Sequence, residues 1–226
     1  PNVVHIHGTE CSHGLSYINS CSNENVVISI QGLTTFCSKY YTCGLTWKEI
    51  YKNLTFHDLL RGSIYFQKRY FAKRSRYEQD MIRKTNYIIG RTNWDRVHST
   101  LINPNVRYFH CDEVLRDEFY SGEKWNYSSC KKHTIFLSQA SYPLKGLHQL
   151  LKALDIVYSY YPDTVVRIAG KDITDRSSLG GRLRYTGYAK IITSKIKDKV
   201  WRDRIVFTGN LSADEMKQEY LNSNLF

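Results

Sequence analysis

The chain has 226 residues and a formal net charge of +11, from 32 Lys and Arg against 21 Asp and Glu. Aromatic residues make up 14% of it, so the chain can bury a sizeable core and is not of the disordered class. Its six cysteines form no Cys-x-x-Cys pair, and the chain is too long and too rich in core residues to need a disulfide framework, which favours a cytoplasmic protein with reduced thiols. The absence of an apolar run of about 18 residues excludes a membrane span. The positive charge predicts an anionic partner: nucleic acid, anionic lipid headgroups or phosphorylated small molecules.

Segments typical of strands and helices alternate along the first half of the chain. The apolar runs 3–8 and 25–32 both end in glycine and predict two strands joined by a crossover helix. Residues 33–86 are predicted to be mostly helical and are strongly basic. A strand at 87–90, a helix at 94–101 capped by Asn93 and a strand at 106–109 are expected to follow.

The alternation restarts in the second half. Strands are predicted at 134–137, 165–170, 205–209 and 224–226. Helices are predicted at 145–161 and 187–198, and Ser212 with Glu215 forms a capping box that opens a helix to Leu221. Strands that alternate with helices indicate parallel sheets covered by helices. Because a polar stretch separates the two series, we predict a chain with two α/β halves, both incomplete, at 1–115 and 133–226, joined by a connection at 116–132.

The pair Lys145-Gly146 lies between a predicted buried strand and an amphipathic helix. Glycine lets a backbone approach a ligand closely, amide N–H groups at a helix start point outward, and lysine supplies a positive charge. The pair therefore predicts a phosphate-binding loop.

Four predicted strand ends carry a glycine: His7-Gly8, Gln31-Gly32, Gly170-Lys171 and Thr208-Gly209. Ligands of doubly wound sheets bind at the carboxyl ends of the strands. His5 and His7 are two positions apart and are expected on one face of their strand. Three interpretations of this pair are open: buried hydrogen-bonded histidines, a metal site for which no zinc spacing exists, or His7 as a substrate contact at the cleft.

A basic segment from Tyr65 to Lys84 interleaves aromatic residues with cations. It can be a solvated helix face, a membrane-surface helix or a nucleic-acid site. Nucleic acid ranks last, because none of the helix-turn-helix, zinc-finger or RNP signatures occurs. The cations expected at an anionic membrane surface are Lys68, Arg69, Lys73, Arg74 and Arg76.

Taken in order, segments 3–8, 87–95, 142–148, 161–170 and 206–216 resemble the family 4 retaining glycosyltransferases of GT-B architecture. The resemblance implies two Rossmann-like domains across a cleft, with residues 1–115 as the carboxyl-terminal part of the acceptor-side domain. Residues 133–226 would be the amino-terminal part of the nucleotide-sugar-binding domain.

Site residues follow from the same resemblance. His7 would line the sugar site as the catalytic residue, and Lys145 with Gly146 would bind the donor diphosphate. Many members carry an arginine where this chain has Gln139 or Ala140, so Gln139 would take that position with less charge. The residues expected near the nucleotide base and ribose are Gly170, Lys171, Thr208, Gly209 and Asn210.

The implied activity is transfer of a hexose from a UDP- or GDP-sugar to a glycan or lipid-linked acceptor, in the synthesis of a cell-surface polysaccharide. The enzyme would be cytoplasmic and peripheral at the inner face of the membrane, with no cofactor, no metal and no nucleic acid. The family's Gly-rich acceptor loop would precede Pro1 and its paired glutamates would follow Phe226. We therefore expect a central fragment that is inactive alone. The competing hypothesis is a non-catalytic basic α/β scaffold that binds anionic lipid or nucleic acid.

Overall fold

The structure is a computed structural model that describes residues 2–21 and 24–226. It confirms the α/β class and contains two parallel four-stranded sheets, which are compatible with Rossmann-like domains. The chain divides into two compact units. The first unit is Pro1–Tyr41 with Phe66–Val114, and the second is Thr42–Tyr65 with Leu115–Phe226.

The described residues form ten elements as far as β4, and every element predicted there is present. They are β1 (Val4–His7), α1 (Ser12–Ser20), β2 (Val26–Ser29), α2 (Thr34–Tyr40), α3 (Trp47–Lys52), α4 (Phe56–Arg61), α5 (Ile64–Lys84), β3 (Tyr87–Gly90), α6 (Asn93–Ile102) and β4 (Arg107–His110).

The cap of α6 differs from the predicted one. Thr92, not Asn93, is the N-cap, because its hydroxyl accepts the N–H of Asp95 while the Asp95 carboxylate accepts the N–H of Thr92, both at 3.1 Å. This reciprocal capping box starts α6 at Asn93, one residue before the predicted start at Trp94.

The first unit contains the sheet β1-β2-β3-β4, in which every neighbouring pair is parallel. Helix α5 contributes the adjacent residues Met81 and Ile82 to its core. Met81 packs with Ile28 of β2, and Ile82 packs with Ile88 of β3. The carboxyl ends of all four strands consequently lie along one edge of the sheet, where a ligand site is expected.

The second half contains eight regular elements. They are β5 (Lys131–Leu137), α7 (Leu147–Tyr160), β6 (Val165–Ala169), α8 (Leu179–Leu183), α9 (Gly187–Ile196), β7 (Ile205–Gly209), α10 (Ala213–Asn222) and β8 (Ser223–Leu225). The capping box of Ser212 and Glu215 at the start of α10 is confirmed.

The helix predicted from Lys145 begins later, at Leu147. Pro143–Lys145 forms a separate 3₁₀ turn, and Gly146 between the two has a φ of +77°. A residue in this left-handed region cannot continue a right-handed helix, so Lys145 lies in the loop that precedes α7.

The second sheet has the order β7-β6-β5-β8, with all pairs parallel. The chain moves outward from β5 to β6 and β7, and then returns to place β8 on the other side of β5. This reversal is the topological switch point of a doubly wound sheet, where a crevice opens outside the carboxyl ends of the strands. The loop that follows β5 lies at that point.

Residues Thr42–Tyr65 belong to the second unit, although the predicted domain 1–115 includes them. Two contacts hold them there. The Asp58 carboxylate accepts the N–H of Gly187 at 3.1 Å, and the His148 ring lies 2.9 Å from the Cys43 carbonyl oxygen. These contacts join the turn before α3 to α7, and α4 to α9. The residues in each pair are more than 100 positions apart, so local sequence patterns cannot predict the contacts.

The segment predicted to connect the domains, 116–132, is also part of the second unit. Its Trp125 indole N–H donates to the Ser223 carbonyl at 2.8 Å, which fixes the segment beside β8. No helix in the described part of the chain combines the length and apolar character needed to cross a bilayer.

Candidate functional site

A cavity of about 580 Å³ opens at the carboxyl ends of β5, β6 and β7 in the second unit. Three loops line it: the one after β5, the one after β6 and the one after β7. The polar side chains in this lining are Ser138, Gln139, Ser141, Lys171 and Asn210. Its floor is apolar, with Ile168, Phe207 and Met216. The volume lies within the range of small-molecule sites, and an apolar floor with few polar groups is their usual composition.

Two glycines lie where β6 and β7 end, and of these Gly170 lines the cavity. Gly170 and Gly209 have φ values of +105° and +78°, which side chains with a Cβ adopt only with strain. Their backbones exchange hydrogen bonds in both directions, at 2.8 Å and 3.2 Å. A Cβ added to either would meet no atom within 4 Å, so the space beside both glycines is open. A ligand can therefore approach the backbone closely at both strand ends.

Three of the five residues predicted near the nucleotide, Gly170, Lys171 and Asn210, line the cavity. Thr208 and Gly209 lie outside the lining. The Thr208 hydroxyl donates to the Ile168 carbonyl at 3.3 Å and so turns toward the strand backbone.

The residues predicted to hold the diphosphate separate in the structure. Gln139 is exposed and lines the cavity, and Ala140 beside it is buried. Lys145 and Gly146 lie outside the lining. Lys145 is exposed, with its Nζ 5.5 Å from the centroid of the Tyr142 ring. The cation that lines the cavity is Lys171, at the end of β6. The prediction had placed the phosphate-binding cation at Lys145, in the loop after β5.

A second cavity of about 620 Å³ adjoins the first and shares Ser141, Lys171 and Ile173 with it. The long loop between β6 and α9 supplies most of its wall, including Asp172, Ser178 and Arg184. The two cavities therefore adjoin at the carboxyl edge of the second sheet, with Lys171 in both linings and Arg184 in the second.

In the first unit, His5 and His7 share one face of β1, as predicted, with their ring centroids 6.0 Å apart. Both are exposed, so the interpretation as buried histidines is wrong. The His5 ring contacts the Ser29 hydroxyl. Both histidines line a small cavity of about 160 Å³, whose wall also includes Arg91 and Glu113. Within the described residues, no cluster of three or more His, Cys, Asp or Glu side chains is arranged to hold a metal ion.

Arg91 organises the strand ends around that cavity. Its guanidinium donates to the Gln31 carbonyl at 2.6 Å and pairs with the Glu113 carboxylate at 2.6 Å. It thereby ties the ends of β2 and β3 to the segment that follows β4. Sequence patterns did not single it out.

Glu78, in the middle of the basic helix α5, is fully buried. Its carboxylate accepts hydrogen bonds from the Thr9 hydroxyl at 2.7 Å, and from the N–H groups of Thr34 and Thr35 at 2.9 Å and 2.8 Å. Thr34 and Thr35 begin α2, so Glu78 supplies a carboxylate at that helix's N-terminus, where negative charge is favourable. It also fixes the loop that follows His7-Gly8.

The five cations predicted at a membrane surface are not equivalent. Arg69, Lys73 and Arg76 are exposed and line a groove of about 610 Å³ with Phe66 and Tyr70. Lys68 is half-buried. Arg74 is also half-buried, and its Nε donates to the Glu10 carbonyl at 2.5 Å. The Arg74 guanidinium is therefore committed to internal contacts rather than to a surface ligand.

No protein-family model matches the chain, and its sequence matches no curated protein significantly.

Proposed function

We propose that this chain is a nucleotide-sugar-dependent retaining glycosyltransferase, or a piece of one, that transfers a hexose to a glycan or lipid-linked acceptor. The observation that carries the proposal is the cavity at the carboxyl ends of β5, β6 and β7 beside a topological switch point. Its lysine supplies a positive charge, and the open space beside Gly170 lets a phosphorylated ligand approach the backbone.

In the proposed site, the nucleotide lies along Gly170, Lys171 and Asn210, with its diphosphate toward the loop after β5. Lys171 and Lys145 neutralise the charge that develops on the leaving diphosphate, where electrostatic stabilisation is most effective. Lys145 lies in the 3₁₀ turn before α7, outside the lining, and would have to extend its side chain to the diphosphate. His7 belongs to the first unit and orients the transferred sugar. The acceptor would be part of a polysaccharide pathway at the cytoplasmic membrane face, with the exposed cations of α5 attracted to anionic lipid.

Calorimetric titration of the chain with UDP and with GDP tests the proposal. We expect one of them to bind more tightly than its monophosphate, because the second phosphate adds charge-assisted hydrogen bonds. Asn210→Trp should fill the cavity and weaken that binding at least about tenfold, since a ligand cannot share the space. Asn86→Trp, at an exposed position of the first unit, is the matched control and should leave binding unchanged.

The basic groove on α5 favours a second candidate function, a non-catalytic scaffold that binds anionic lipid or nucleic acid. The same titration separates the two. Absence of nucleotide binding, or equal binding by the wild type and Asn210→Trp, would contradict the proposed transferase function. The scaffold function would then remain as the candidate.

A further inference from the structure

Helices α3 and α4 present their apolar side chains outward. Five large apolar side chains of these helices are between 68% and 75% exposed: Trp47 and Tyr51 of α3, and Phe56, Leu59 and Leu60 of α4. Trp47 and Tyr51 are four residues apart, and Phe56 is three and four residues from the two leucines. This spacing gathers the apolar side chains of each helix on one face. Single exposed apolar residues are common on proteins, but five large ones within residues 47–60 are a concentration that needs an explanation.

The opposite faces of the same helices are anchored in the second unit. Ile50 of α3 is buried, and Glu49 beside it pairs with Lys195 at 3.6 Å. On α4, the buried Asp58 carboxylate accepts the N–H of Gly187. Each helix is therefore fixed in rotation by an inward anchor, and the outward direction of the aromatic side chains is a defined property of the fold.

The fully exposed charged side chains of these two helices are cations: Lys48, Lys52 and Arg61. Of the two carboxylates, Glu49 is partly exposed and paired with Lys195, and Asp58 is buried. Large aromatic and aliphatic side chains on the same short helices as lysine and arginine are the composition of a surface that lies in a membrane interface. The positive charges complement anionic headgroups, while a protein partner would have to supply matching carboxylates around an apolar centre.

We propose that the outward face of α3 and α4, formed by Trp47, Tyr51, Phe56, Leu59 and Leu60, inserts into the interface of an anionic lipid bilayer. We call these five residues the α3–α4 face. Insertion differs from attraction by the cations of α5, because it removes apolar side chains from water and so persists when salt screens the charges. It does not depend on the proposed transferase activity, since none of the five residues lines the cavities described above.

The test is sedimentation of the whole chain with vesicles of neutral phosphatidylcholine, with and without 30% anionic phosphatidylglycerol, a composition chosen on the order of natural anionic leaflets. The variant Leu59→Gln/Leu60→Gln should lower partitioning onto anionic vesicles at least about tenfold, because two leucine side chains no longer leave water. Leu179→Gln/Leu183→Gln, which changes two exposed leucines of α8, is the matched control and should bind as the wild type does. Far-ultraviolet circular dichroism checks that both variants remain folded.

Tryptophan fluorescence supplies an independent readout. Addition of anionic vesicles should shift the emission of the wild type to shorter wavelength, and Trp47→Phe should abolish most of that shift while it retains the apolar contact. Equal partitioning of Leu59→Gln/Leu60→Gln and wild type would overturn the proposal, as would a shift that persists in Trp47→Phe. If the leucine variant instead converts a dimer to a monomer with vesicle binding unchanged, the α3–α4 face is an interface between copies of the chain and the proposal is wrong. Nucleotide titration tests the proposed function and vesicle binding tests the α3–α4 face. Failure of one proposal therefore does not contradict the other.

Discussion

The Asp58 carboxylate accepts a hydrogen bond from the Gly187 N–H at 3.1 Å, although the two residues are separated by 129 positions. Asp58 also caps its own helix, accepting the Thr55 N–H at 2.9 Å. One buried carboxylate thus joins α4 to the start of α9. A Cβ at Gly187 would approach an Asp58 oxygen to 2.5 Å, so the absence of a side chain there is what permits the contact.

Asp58→Ala should destabilise the second unit by about 2–4 kcal/mol, because it removes a helix cap and leaves a buried N–H without its partner. Ser212→Ala is the matched control, since it removes a cap that serves only its own helix and should cost about 1 kcal/mol. Urea unfolding measures both. Equal losses in the two variants would show that the bond to Gly187 adds nothing to a simple cap.

The buried His148 should make stability depend on pH. Its Nε2 lies 2.9 Å from the Cys43 carbonyl, which can only accept, so Nε2 carries the proton and Nδ1 accepts from the Tyr188 hydroxyl at 3.2 Å. Burial holds the pKa of His148 below its usual value of 6.5. Burial likewise raises the pKa of Tyr188, which keeps its hydroxyl protonated as a donor.

Because the unfolded chain takes up a proton at His148 near pH 6.5 and the folded chain does not, this contribution to stability is complete above that pH. It is lost as the pH falls below 6.5, by up to about 1.4 kcal/mol per pH unit, until the lower pKa of the folded state is reached. Urea unfolding at several pH values measures the slope. His148→Gln should flatten it between neutral and mildly acidic pH, whereas replacement of the exposed His13 by Gln should leave it as in the wild type.

Lys145→Ala and Lys171→Ala should each weaken binding of the nucleoside diphosphate by about 1.5–3 kcal/mol, the scale of a charge-assisted hydrogen bond. The loss should be smaller for the monophosphate, because fewer charged oxygens remain for the lysines to contact. Calorimetry with both nucleotides gives the comparison. An unchanged diphosphate affinity in either variant would remove that lysine from the site.

His7→Ala should lower sugar transfer by about a hundredfold or more, on the scale of a lost catalytic side chain, and leave nucleotide affinity nearly intact. The reason is that His7 is exposed on the first unit, whereas the proposed nucleotide site belongs to the second. Turnover and nucleotide binding are measured on the same preparation of the protein in its full length. A parallel loss of unfolding free energy and nucleotide binding would mean that His7 supports the fold instead.

The exposed cations of α5 should attract anionic vesicles in a salt-dependent way. Each charge near such a surface contributes about 1 kcal/mol, and the attraction is screened beyond roughly 10 Å at moderate salt. A triple change of Arg69, Lys73 and Arg76 to Gln should reduce binding at low salt. Arg74→Gln should instead lower the melting temperature, because its guanidinium contacts the Glu10 carbonyl. If vesicle binding does not depend on salt concentration or on the anionic lipid content, the exposed face of α5 is an ordinary solvated helix face.

Local patterns in the sequence were sufficient to predict the strands and most helices. Apolar runs that end in glycine marked β1, β3 and β7, and Ser212 with Glu215 marked the start of α10. The same capping-box signal was present in Thr92 and Asp95 and identifies the true cap of α6.

What local patterns could not supply were contacts between distant residues. Two capping boxes, Thr46 with Glu49 and Thr55 with Asp58, mark the starts of α3 and α4 in the sequence. They do not show on which unit those helices pack. That choice depends on Gly187, more than a hundred positions away. The role of Glu78 could not be predicted for the same reason. A single acidic residue within a basic helix does not indicate that its hydrogen-bond partners are Thr9 and Thr34. Lys171 was predicted, but its place as the cation of the cavity depends on how three loops meet.

Hydrogen–deuterium exchange of the chain with and without a saturating nucleoside diphosphate tests the proposed donor site most directly. We expect slower exchange in peptides that cover 138–141, 168–173 and 207–211, because the ligand would shield the backbone around Gly170 and Gly209. Peptides of β1 to β4 in the first unit should exchange at the same rate in both samples. Protection confined to α5, or no protection at the ends of β5, β6 and β7, would contradict a nucleotide site in this cavity.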